Sequence, residues 1–220
     1  MYKLLIFDWD GTVIDSTARI VSSMQAAARD LSLPSLEDHE AREIIGLGLP
    51  EAIRQLFPGI NDDMIEPMRE RYAYYYLEGD NTPTALFAGV QVTLEALRDR
   101  GYRLAVATGK SRKGLDRVLA QTGLGSLFEI TRCADETTSK PDPHMLHEIL
   151  AETGVAAEHA LMVGDTEFDM EMAQRANVGR IAVSYGAHHI DRLGKYDPVL
   201  EVHAFAEIAR WLETVQGVCE

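Results

Sequence analysis

The chain has 220 residues, 46% of them hydrophobic and 25% charged, which is enough to bury one substantial core and leaves room for a small inserted domain. Thirty-five acidic residues against 21 basic ones give a formal charge of −14, a field that disfavours nucleic acid as a main partner. An anionic small molecule stays compatible with that charge only where a few cations and backbone amides make the site locally positive.

The chain opens on a short apolar run, Leu4-Leu5-Ile6-Phe7, that ends in acid and is too short for a signal peptide or a membrane span. This predicts a cytoplasmic protein with no membrane attachment. The two cysteines, Cys133 and Cys219, have no metal-ligand spacing around them and fit a reducing compartment, as buried packing or an idle tail thiol.

Residues 3–8 read as a strand that runs into Asp8-Trp9-Asp10-Gly11-Thr12, where polar residues and glycine signal a sharp change of direction. From about 17 to 78 the chain reads as helical, with candidates at 17–31, 40–46, 50–57 and 62–78, before the turn-rich Gly79-Asp80-Asn81-Thr82-Pro83. Downstream, short apolar runs at 103–108, 129–133, 160–164, 180–184 and 199–202 alternate with helix-period stretches at 91–100, 112–122, 144–153 and 168–177. Strand alternating with helix implies an α/β fold, a doubly wound parallel sheet of Rossmann-like form. The helical stretch breaks that rhythm, so the division expected is a core of 1–15 and 84–220 with a small all-helical cap inserted at 16–83.

Unusual polar residues sit at the ends of the apolar runs: Asp8 and Asp10, then Thr108, then Asp165 and Asp169, with Lys140 just before Pro141. In an open α/β sheet the strand C-termini near a topological switch converge on one crevice, so these residues are expected to meet. Carboxylates crowded there repel by roughly 4 kcal/mol per pair at about 4 Å and an effective dielectric near 20, which a divalent cation relieves. An all-oxygen donor set without His or Cys suits Mg2+. Lys140, the Thr108 hydroxyl and backbone amides near Trp9, Gly11 and Gly109 supply donors for phosphate oxygens, and together these parts describe a phosphoryl-transfer site.

Asp8-Trp9-Asp10-Gly11-Thr12, Thr108-Gly109-Lys110, Lys140-Pro141 and Gly164-Asp165-Thr166-Glu167-Phe168-Asp169 resemble, in order, the four motifs of the haloacid dehalogenase superfamily. The helical insertion after the first motif is similar to the phosphoglycolate phosphatase-like branch with its helical cap. That resemblance implies Asp8 as a nucleophile forming an aspartyl-phosphate, and Asp10 as general acid and then base. It implies Mg2+ held by Asp8, the backbone carbonyl of Asp10, and Asp165, with Asp169 supporting from behind. Thr108 and Lys140 would grip the phosphoryl group. The acid at position 10 argues for phosphate chemistry, since relatives that cleave carbon–halogen bonds lack it. Gly109 stands where relatives often have Asn, leaving only backbone there to touch a leaving group.

The expected substrate is a small phosphorylated metabolite, phosphoglycolate-like or a sugar phosphate, and the expected assembly a monomer or homodimer. A phosphomutase similar to beta-phosphoglucomutases and a phospho-acceptor module without turnover remain alternatives. Gly46 and Gly48 either bring backbone to the substrate or end one helix before Pro50 starts the next. Of Tyr72, Tyr74, Tyr75 and Tyr76, helical geometry lets one or two face a cleft. In the basic group Lys110, Arg112 and Lys113, one member is expected to meet an anionic group and the others to face solvent. His144, His147, His188 and His189 are expected to pack or lie on the surface.

Overall fold

The computed structural model describes residues 1–216; Cys219 lies outside them. Its main sheet has six parallel strands in the order β5-β4-β1-β6-β7-β8. These are β1 (Leu4–Phe7), β4 (Arg103–Thr108), β5 (Ile130–Cys133), β6 (Ala160–Gly164), β7 (Gly179–Val183) and β8 (Leu200–Val202). All four side chains of β1 are fully buried, as a central parallel strand covered on both faces requires. Burying each large apolar side chain contributes about 1.5–3 kcal/mol.

Helices cover the two faces of the sheet. Leu5, Phe7 and Val106 face one apolar cluster with Leu94 and Leu97 of α5 (Val90–Asp99), Leu115 of α6 (Arg112–Thr122), and Ile208 and Leu212 of α10 (Glu207–Gln216). Leu4, Ile6 and Ala105 face the other, with Met145 and Ile149 of α7 (His144–Thr153) and Met172 and Ala173 of α8 (Glu167–Arg175). Cys133 is part of the first cluster, and its burial pushes the thiol up to about 12, so it packs as a small hydrophobe.

The helical layer comprises α1 (Thr17–Asp30), α2 (Asp38–Arg42), α3 (Leu49–Leu56) and α4 (Ile65–Tyr74), around a separate apolar cluster that includes Met24, Ala52, Ile53, Phe57 and Met68. Two details depart from the sequence expectation. The stretch 62–78 is three pieces: a tight turn at Asp62–Met64, α4, and a widened helical turn at Tyr75–Gly79. Two strands too short to show a period also went unseen, β2 (Ile14–Asp15) and β3 (Ala85–Leu86). They pair antiparallel where the chain leaves for the helical layer and where it returns. A short helix α9 (Ile190–Leu193) and helix α10 complete the chain, and among the described residues no helix is long and apolar enough to cross a membrane.

Candidate active site

β1 lies between β4 and β6, and its neighbours continue outward in opposite directions, so the crevice forms at the C-terminal ends of these three strands. Asp8 directly follows β1, Thr108 ends β4, and Asp165 directly follows β6. The register pairs Phe7 with Val106 and with Val163, which brings those three ends level. Lys140 enters from the loop between β5 and α7, and its peptide bond to Pro141 is cis.

Lys140 Nζ lies 2.5 Å from Asp8 Oδ1 and 2.7 Å from Asp169 Oδ1, and its side chain is fully buried. Asp169 also anchors the start of α8. The backbone N–H and the hydroxyl of Thr166 both donate to Asp169 Oδ2, at 3.1 and 2.7 Å, in a reciprocal cap of that helix. Both oxygens of Asp169 are therefore engaged within the protein. Asp165 accepts from the Thr12 hydroxyl at 2.8 Å and from the Ala187 N–H at 2.7 Å.

Burial pushes the Asp8 carboxyl well above the usual carboxylate range; Lys140 opposes the rise, and Asp169 and Asp165 add to it. Burial, and next the charge of Asp169, push Asp165 up to about 7. Burial works against the Lys140 ammonium, but Asp169 and Asp8 outweigh it and its pKa is raised. Carboxylate oxygens of Asp8, Asp165 and Asp169 lie within 4.8 Å of one another. With all three carboxyls ionised, they and the one ammonium would carry a charge of −2 in a dry site, which is what raises Asp8 and Asp165, and Asp8 Oδ2 is buried with no hydrogen-bond partner. A hard divalent cation fits that donor set, because it answers the surplus charge and the orphaned oxygen together.

Asp10 stands on the cavity side. Its Oδ1 accepts from Ser16 Oγ at 2.5 Å and lies 3.0 Å from Lys110 Nζ. Lys110 is the member of the basic group that meets an anion, but the anion is Asp10; burial works against its charge, Asp10 with Tyr76 and Tyr72 together outweighs it so that the pKa is raised, and it also donates to the Tyr76 hydroxyl at 3.3 Å. Arg112 is held by Glu136 at 2.7 Å instead of facing solvent freely, whereas Lys113 is exposed. Thr108 is fully buried, and its Oγ1 accepts from the Lys110 N–H at 3.2 Å.

The glycines need a correction. The Gly11 N–H does not point to a free anion position, because it donates to Ile14 O at 2.9 Å. Gly11 is required instead by its φ of +78° and by the Asp165 carboxylate, which occupies the space a Cβ would take. Gly46 and Gly48 line the cavity, yet their close approach is to the core: the Gly48 N–H donates to Ser139 Oγ at 2.8 Å, and the carbonyls of Gly46 and Leu47 press on Gly109. The reading of that loop as a turn before a Pro-started helix fits, since Gly46 turns the chain with φ of +101° and Pro50 sits in the first turn of α3. The Trp9 side chain is buried, edge-on to Phe128 with centroids 6.0 Å apart.

Of the four tyrosines, Tyr72 and Tyr76 line the cavity. His188 is buried, accepting from the Glu167 N–H at 3.2 Å. Ser16, just before α1, and Arg19 in its first turn also reach the site; a lone serine and arginine at a helix start carry no signal of their own in the sequence.

The family model described as haloacid dehalogenase-like hydrolase matches residues 5–183. The chain belongs to that family. Among relatives of this haloacid dehalogenase-like hydrolase, the protein named "Probable phosphatase IndB" of Dickeya dadantii is 35% identical over 212 residues, covering 94% of this chain and 92% of its own length. The phosphoglycolate phosphatase of Aliivibrio fischeri is 30% identical over 204 residues, covering 89% and 90%. A crystal structure described as a haloacid dehalogenase-like hydrolase, from Bacteroides fragilis, superposes with a TM-score of 0.86 at 25% identity, covering 94% of this chain and 100% of that one.

Proposed function

We propose that the chain is a magnesium-dependent phosphatase that hydrolyses a small phosphate monoester through an aspartyl-phosphate on Asp8. The observation that carries this reading is Asp8 itself: one oxygen oriented by Lys140, the other buried and unpartnered, in a residue that lines the cavity. The names of the relatives support it, since several are phosphatases.

In this reading an Asp8 oxygen attacks phosphorus in line with the ester bond, which breaks as the new P–O bond forms. Asp10 gives its proton to the departing alcohol oxygen, helped by Ser16 and Lys110, which fix its carboxyl at the cavity side. Thr108 and Lys140 hold the equatorial phosphoryl oxygens as their charge grows. Water then attacks phosphorus, Asp10 takes its proton, and phosphate leaves Asp8 free. Mg2+ held by Asp8, the Asp10 carbonyl and Asp165 would supply charge neutralisation at the phosphoryl oxygens. Asp169 keeps Lys140 in place and serves as support behind the ion.

The helical layer would shield the site from bulk water during transfer. The test is inorganic phosphate release from a panel of phosphate monoesters in Mg2+ and in EDTA. Release that requires Mg2+ supports the proposal; quantitative conversion to an isomeric phosphate without release would make the enzyme a mutase.

A further inference from the structure

The cavity above Asp8 and Asp10 is much larger than a phosphoryl group needs. It encloses about 680 Å3, a size at which pockets enclose whole ring-bearing ligands. Part of its lining is apolar, Ile20 and Met24 from α1, Ile44 and Leu47 from the segment before α3, and the rings of Tyr72 and Tyr76, while charged side chains such as Glu66, Arg69, Glu70 and Arg117 line the rest. The two tyrosine rings lie 5.7 Å apart, inclined by 30°, and both border the cavity, with Lys110 Nζ 4.7 Å from the Tyr76 ring centroid.

A two-carbon glycolyl group would touch only the edge of that lining. Hydroxyls of a hexose that lie against the apolar part of the lining would lose water without gaining partners there. A flat ring fills such a space and gains from the tyrosine faces.

Five cationic side chains line the cavity, Arg19, Arg69, Lys110, Lys113 and Arg117, and two of them lie against the Tyr76 ring in different states. Lys110 is occupied by Asp10 and the Tyr76 hydroxyl. Arg19 is anchored through Nε to the Thr82 carbonyl at 2.6 Å, with its Cζ 5.9 Å from the Tyr76 ring centroid. Among the described residues Arg19 makes no ion pair, although its charge reaches Asp80, and its side chain lines the cavity. A positioned guanidinium beside an aromatic face is suited to an acceptor carried on a ring.

We propose that the substrate is a phosphate monoester of an alcohol bearing an aromatic or heteroaromatic ring, which packs against Tyr72 and Tyr76 and presents an acceptor to Arg19. This rests on the phosphatase reading and narrows it.

The test compares kcat/KM for pyridoxal 5′-phosphate and adenosine 5′-monophosphate with that for 2-phosphoglycolate and glucose 6-phosphate, all esters of aliphatic oxygen. At least one ring ester is expected to exceed both ringless ones by about tenfold or more. Ala73→Trp, on the cavity side of α4, is expected to lower the ring ester about tenfold and leave 2-phosphoglycolate within about twofold. Arg19→Met is expected to raise KM for the ring ester with kcat nearly constant. A preference for 2-phosphoglycolate or glucose 6-phosphate, or an equal loss on all esters in Ala73→Trp, overturns the proposal while leaving a phosphatase in place. No phosphate release from any ester, p-nitrophenyl phosphate included, overturns the phosphatase reading and this inference with it.

Discussion

The carbonyl oxygen of Leu47 lies so close to the α-carbon of Gly109 that no side chain fits between them. One residue belongs to the helical insertion and the other to the second motif of the core, so this contact fixes how the two layers meet. Both Leu47 and Gly46 oppose a Cβ at position 109 with backbone, which cannot rotate aside.

Gly109→Ala is therefore expected to lift the loop at 46–48 off the core. The fold survives, because Gly109 does not have a positive φ, but a displacement of this size at the site lowers kcat/KM by roughly ten- to a hundredfold. Steady-state kinetics beside a thermal melt check this. Wild-type kcat/KM would show that the close contact is not part of the working state.

Lys140→Met should act on stability as well as rate. It leaves Asp8 and Asp169 buried without their shared cation, and breaking a buried pair in this way costs about 3–5 kcal/mol. Urea unfolding in EDTA measures the loss, and adding Asp169→Asn should recover part of it, since the two sites share one interaction.

The ion pair between Arg192 and Glu43, at 2.7 Å, also links core to helical layer, but both side chains are partly exposed, at 33% and 45%. Glu43→Gln is expected to cost no more than about 1 kcal/mol. The same urea experiment decides whether this contrast with Lys140 holds.

Asp165 predicts a pH dependence. Its carboxyl is pushed up to about 7 in the folded protein against an ordinary value of 3.8. A raised folded-state value means the native state holds this proton after the unfolded chain has released it. The contribution is complete below the ordinary value and is lost as pH rises toward about 7. A bound cation offsets the ionised carboxylates, so the rise in melting temperature on adding Mg2+ should be larger near about pH 8 than near about pH 5. A thermal-shift series at fixed ionic strength tests this, and a shift that does not depend on pH would argue against Asp165 as a ligand.

The sequence made the parts of the site visible where a local pattern coincided with a function. Asp8, Thr108 and Asp165 each close a short apolar run, and parallel topology carried those run ends to one crevice. What stayed hidden depends on contacts between distant segments. The local pattern suggests the amide of Gly11 as a phosphate donor, whereas the bridge to Ile14 uses it and the pressure of Asp165 explains the glycine. β2 and β3 are too short for any periodicity to register, and only their pairing reveals them. Lys110 is a candidate for an anionic contact by sequence, but nothing local shows that its anion is Asp10 or that Tyr76 helps enclose it.

The most direct test of the central claim is Asp8→Asn, assayed for phosphate release in Mg2+ on the best ester of the panel, with rapid acid quench and intact-mass analysis of the wild-type protein during turnover. The account predicts a transient phosphoryl adduct mapping to Asp8 in the wild type, and neither adduct nor turnover in a folded Asp8→Asn protein. Wild-type phosphate release by purified Asp8→Asn, or an adduct mapping to another residue, would contradict it.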